Sequence, residues 1–81
     1  MDEFPEDIRF LTLLHNIGAT CPERSLSIEE ISRGAAIDSQ KVKEKLSKLA
    51  NDRYVDILIS GGVERYYVTV EGIRKVLSTY S

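Results

Sequence analysis

The chain has no tryptophan, one methionine, one histidine, one cysteine and two prolines in 81 residues. Each scarcity excludes something. Cys21 alone forms no internal disulfide, and with His15 the only histidine there is no convergent set of zinc ligands. The same shortage leaves no nucleophile–base–orienter set, so catalysis is not expected. Gly61-Gly62 is not followed by the lysine-bearing helix start that a phosphate-binding loop needs. Long apolar runs are missing, which excludes a spanning helix. The opening MDEFPED is acidic, where a secretory leader is basic and then apolar. The expectation is a cytoplasmic protein with no cofactor, no metal and no membrane partner.

What is present describes one small domain, residues 1–81. A domain of this size buries only about 60% of its unfolded surface, so each large apolar residue has to find a place in a modest core. The net charge of −2 conceals an asymmetry: residues 1–30 carry −5 and residues 31–81 carry +3. Lys41, Lys43, Lys45, Lys48 and Arg53 all fall within residues 39–53, against Glu44 and Asp52. A run of this kind is either a solvated helix face or a surface that meets an anion.

Periodicity divides the chain into five elements. FPEDIRFLTLLHNIG reads as a helix over 5–17, with Pro5 at its first position, Glu6 and Asp7 at the positive end of its dipole, and Gly18 after its end. Its apolar residues (Ile8, Phe10, Leu11, Leu13, Leu14, Ile17) exceed one stripe, so it is buried or faces a partner. Ser27 with Glu30 makes a capping box for a helix over 27–35, with Leu26 and Ile31 placed for the flanking staple. A third helix, 39–52, follows a cap at Asp38 or Ser39 and buries Val42, Leu46, Leu49 and Ala50. Its outward side holds Gln40, Lys43, Glu44, Ser47, Lys48 and Asn51, with Lys41 and Lys45 on the flanks. YVDILIS and VERYYVTV then switch to β-branched and aromatic residues around Gly61-Gly62, predicting a hairpin over 54–70. A last helix, 71–80, begins at a Thr69 or Val70 cap and carries Ile73, Val76, Leu77 and Tyr80 as an apolar stripe.

That order, two short helices and a tight turn followed by a glycine-tipped hairpin, predicts an α+β winged helix-turn-helix: a three-helix core, a two-stranded wing and a C-terminal helix. LSIEEISRGAAIDSQKVKEKLSKLANDRYVDIL resembles the helix-turn-helix core of small prokaryotic and archaeal winged-helix regulators of the MarR-like kind. VTVEGIRKVL is similar to their Thr-x-x-Gly passage from the second wing strand into the last helix. One residue of Ala35-Ala36 stands where many of these turns carry glycine, and the wing is short, with Arg65 its one basic residue and Glu64 beside it.

The resemblance implies a transcriptional regulator whose third helix enters the major groove of double-stranded DNA. By position it nominates Ser39, Gln40, Lys41, Lys43, Glu44, Ser47 and Lys48 on that helix, and Arg65 with Ser60, Gly61 and Gly62 in the wing. Lysines release the counterions condensed on phosphates, and Gln40 suits adenine. Glu44 either accepts from cytosine N4 or pairs with Lys48 one turn on. The resemblance also implies a homodimer through the first and last helices. The alternative is the same fold docking a protein within a transcription or replication assembly, which the acidic first third of the chain favours. His15 and Cys21 read as a helix-surface residue and an incidental loop thiol, and the four tyrosines as cover for sheet and core.

Overall fold

The computed structural model describes residues 6–79. Its elements are α1 (Glu6–Asn16), a 3-10 turn (Pro22–Arg24), β1 (Leu26–Ser27), α2 (Ile28–Ala35), α3 (Ser39–Asn51), β2 (Val55–Ser60), β3 (Val63–Val68) and α4 (Val70–Ser78). The expected order holds, with ends displaced by a residue or two. Pro5 and Tyr80, assigned above to the first and last helices, lie outside the described residues.

The core gathers one face from every helix: Phe10, Leu11 and Leu14 of α1, Ile31 of α2, Val42, Leu46 and Leu49 of α3, Val76 of α4, closed by Val55, Tyr66 and Val68 from the sheet. The apolar surplus of α1 is thereby largely consumed, since Phe10, Leu11 and Leu14 are all buried. Of the α4 stripe, Val76 is buried, Ile73 is half-buried and Leu77 is exposed.

The caps explain where the helices begin. Ser27 accepts from the Glu30 amide while the Glu30 carboxylate accepts from the Ser27 amide, the reciprocal pair that the spacing predicted. The Asp38 side chain accepts from the Gln40 amide, so Asp38 and not Ser39 caps α3. Thr69 caps α4, its hydroxyl accepting from Gly72 N–H at 3.1 Å and donating to the Arg53 carbonyl at 2.7 Å. One threonine thus fastens the start of α4 to the end of α3.

Gly72 completes that junction. A Cβ there would run into the Tyr54 carbonyl oxygen and the Val68 side chain, so α4 packs against backbone and only glycine fits. Thr69 and Gly72 therefore have distinct physical tasks within the Thr-x-x-Gly passage.

The sheet has three antiparallel strands in the order β1-β3-β2. β2 and β3 pair from Val55–Val68 to Ser60–Val63, joined by Gly61 (φ 59°) and Gly62 (φ 78°), the left-handed pair of a type I′ turn. β1 was not expected. Leu26 pairs with Tyr66 and Ser27 with Arg65, and two residues are too few to show alternation in a sequence. Val70, grouped above with the second strand of the hairpin, instead opens α4 and is 64% exposed.

Candidate nucleic-acid interface

Hydrophobic spacing orients α3. With Val42, Leu46 and Leu49 turned inward, Ser39, Gln40, Lys41, Lys43, Glu44, Ser47 and Lys48 are all exposed, so the structure brings every residue nominated on this helix onto its outer side. Ser39 and Gln40 stand at the amino end, where the helix dipole is positive. Lys41 and Lys43 make no ion pair among the described residues.

Two lysines of α3 are engaged elsewhere. Lys41, Lys45 and Lys48 follow i, i+4, i+7 and so share one flank of the helix. On that flank Lys45 Nζ lies 3.2 Å from the Glu6 carboxylate and Lys48 Nζ 2.9 Å from Asp7. The Lys48 ammonium is held charged above the ordinary lysine range, first by its hydrogen bond to Asp7 and then by the charge of that carboxylate. The Glu44–Lys48 pairing considered above does not form, because Lys48 reaches across to α1. Glu44 is left exposed, without an ion pair among the described residues.

Arg65 is apart from the α3 face. Its guanidinium donates to the Ser25 carbonyl at 2.8 Å and to Glu30 at 3.3 Å, so it ties β3 to β1 and the start of α2. The Glu30 carboxyl sits below the usual carboxylate range, chiefly through its bond from the Ser27 amide, with Arg65 adding to it. Two acids of the hairpin have phenol partners: Tyr67 donates to Asp56 and Tyr66 to Glu64. Burial and the Glu64 carboxylate push the Tyr66 phenol up to about 12. These tyrosines therefore cover the sheet, as the sequence suggested, and the hairpin offers no unengaged cation. It offers apolar surface instead: Ile57, Leu58, Ile59 and Val63 are exposed.

Sequence reasoning passed over Arg33. It is exposed at the end of α2 and lines a shallow polar depression with Glu29, Ser32 and Ser39, beside the amino end of α3. Its place one tight turn before the third helix was the available signal. The turn itself is pinned by the Ser32 hydroxyl, which donates to the Ile37 carbonyl, and by Ala36 in the left-handed region at φ 56°. Ala36 is thus the residue of the alanine pair that occupies the glycine position.

Comparison with solved structures decides the architecture. The chain matches the DNA-binding TubR fragment from Clostridium botulinum with a TM-score of 0.80 at 20% identity, over 98% of this chain and 99% of that one. It matches TubR from Bacillus megaterium pBM400 with a TM-score of 0.78 at 18% identity, over 98% and 88%. The fold is a winged helix. No protein-family model and no curated protein matches the sequence. At this level of identity the likeness concerns the backbone path, and both winged helices named are TubR proteins, so it does not extend to the MarR-like refinement. Among the described residues there is no group of acids, histidine and cysteine able to hold a metal ion, and no helix long and apolar enough to cross a membrane.

Proposed function

We propose that the protein binds double-stranded DNA as a transcriptional regulator, with α3 in the major groove. The observation that carries this reading is the exposed α3 face, with Ser39 and Gln40 at its amino end and Lys41 and Lys43 making no ion pair among the described residues. A helix of this diameter fits the major groove, the lysines neutralise phosphates, and Gln40, Glu44 and Ser47 are the groups able to address base edges. Arg33 adds a cation at the entry to the helix. The fold shared with a protein described as DNA-binding supports the same reading. The protein acts by binding rather than catalysis, in the cytoplasm.

Homodimerisation belongs to the proposal. α1 packs against α4, and with most of the α1 surplus buried the apolar surface left for pairing is narrow: Ile17, Val70 and Leu77 are exposed. A two-fold pair would present two α3 helices to successive half-sites.

Titration of a fluorescein-labelled mixed-sequence duplex, followed by anisotropy at several salt concentrations, tests the reading. Affinity should fall linearly in log–log form. Lys41→Glu/Lys43→Glu should weaken binding and flatten the slope by about 0.9 for each phosphate no longer neutralised. No binding at about 50 mM salt, where electrostatic association is strong, overturns it. A protein-docking module is the second reading, and the apolar hairpin without an unengaged cation favours it for that part of the molecule.

A further inference from the structure

We infer that the first turn of α1 is a built-in competitor of the DNA backbone: Glu6 and Asp7 occupy Lys45 and Lys48, and a duplex reaches those lysines only by displacing the two carboxylates. The inference rests on the DNA-binding reading and concerns the regulation of that same face.

The geometry carries it. A lysine holds a carboxylate and a phosphate oxygen with the same charge-assisted bond, at the separations seen here, 3.2 Å for Lys45–Glu6 and 2.9 Å for Lys48–Asp7. Both acids sit where the α1 dipole favours negative charge, which anchors them independently of the lysines. The pairs differ in which side is covered. The Lys45 side chain is 15% exposed and that of Glu6 74%, whereas Lys48 is 67% exposed and Asp7 25%. Lys48 is therefore accessible at once but shares its charge with Asp7, and Lys45 has to leave the α1–α3 interface before it meets a phosphate.

Each pair keeps one partner well exposed to water, which screens it and weakens it, so the carboxylates are displaceable rather than locked. Their effect is to lower the number of effective cations on α3. Lys41 and Lys43 stay available, while Lys45 and Lys48 engage only where the phosphate path matches their flank closely enough to outcompete Glu6 and Asp7. The device therefore suppresses nonspecific association more than a well-fitted complex.

The test compares the unaltered protein with Glu6→Gln/Asp7→Asn on the mixed-sequence duplex, with Glu23→Gln/Glu71→Gln as a control of equal charge change away from α3. The α1 variant should bind about tenfold tighter near 50 mM salt and show a log–log slope steeper by about one to two units, as two more neutralised phosphates require. The control should move far less. Within the α1 variant background, Lys45→Gln/Lys48→Gln should remove the whole gain, while in the unaltered background the same substitution should weaken binding by a smaller factor, a non-additivity that only coupled groups show. Glu6→Gln alone, at a mostly exposed carboxylate, provides the same comparison should the double variant lose thermal stability. Unaltered protein that binds DNA while the α1 variant shows the same affinity and slope, or a control that tightens equally, overturns the competitor and leaves the DNA reading standing. Absence of binding by every form overturns both.

Discussion

At the scale of single residues, two positions are set by backbone geometry that helical propensity does not explain. Ala36 holds φ 56° at the end of α2, where an L-side chain is strained by roughly 1–2 kcal/mol. Ala36→Gly relieves that strain and adds back glycine's unfolded-state entropy, so a gain of about 0.5–1 kcal/mol is expected, seen as a urea midpoint raised at constant m-value. A midpoint lowered by the change would mean that the Ala36 methyl contributes contacts outweighing its backbone strain. Gly72 is the opposite case. Its hydrogen points at the Tyr54 carbonyl, and a Cβ would force α4 away from Val68, so Gly72→Ala should cost about 3 kcal/mol, the upper end for overpacking. For a domain this small each kcal/mol lowers the thermal midpoint by roughly 4–8 °C, which a melting curve resolves easily. The sequence displayed both residues, one as an alanine at a glycine site and one inside a Thr-x-x-Gly passage. It did not display why, because the partner in the second case is a backbone oxygen from the other end of the hairpin.

At the scale of elements, periodicity was enough for the four helices and the hairpin, since each has an apolar stripe or alternation long enough to count. It was not enough for β1, whose two residues pair with β3 only because the chain returns there after Pro22–Arg24. The same missing strand hid the task of Arg65. In sequence it is the one base of a wing. In the fold its guanidinium secures the carbonyl of buried Ser25 and the Glu30 that caps α2. Arg65→Ala should therefore destabilise by about 1–2 kcal/mol, somewhat below a buried charged hydrogen bond because the side chain is partly exposed, and leave the salt slope of DNA binding unchanged. A flattened slope with unaltered stability would return Arg65 to the DNA. The α2 cap also carries a pH signature. The Glu30 carboxyl is lowered in the folded state, first by the Ser27 amide, so its contribution is fully present above the ordinary carboxylate pKa and is lost as pH falls from there through the lowered one. Thermal midpoints of Glu30→Ala and the unaltered protein should differ at neutral pH and converge as pH falls below the lowered Glu30 pKa. A gap of constant size would assign the effect of Glu30 to packing.

At the scale of the whole molecule, the −5 and +3 halves of the chain are folded onto each other, so the acids of α1 lie against the lysines of α3. The lysine-rich helix was plain in the sequence, but its counterions were not, because a long stretch of chain separates Glu6 and Asp7 from Lys45 and Lys48. The same folding alters the case for pairing. Six apolar residues on the first helix suggested a broad interface, yet Phe10, Leu11 and Leu14 are taken up by the core, and Ile17, Val70 and Leu77 remain the exposed large apolar groups of α1, α4 and their ends among the described residues. So small a patch falls well below the roughly 800 Å² per partner of a stable complex, and pairing should be weak in free solution. Sedimentation velocity should accordingly show monomer at micromolar concentration and reversible dimer only at much higher concentration, while DNA with two half-sites one helical turn apart should load two copies together by raising their effective concentration. Leu77→Glu places a charge on that patch without touching the core, so it should abolish the paired species and the joint loading yet leave one-site binding and thermal stability intact. If paired loading persists in Leu77→Glu, the copies meet elsewhere, and the exposed Ile57–Ile59 edge of β2 becomes the surface to substitute next.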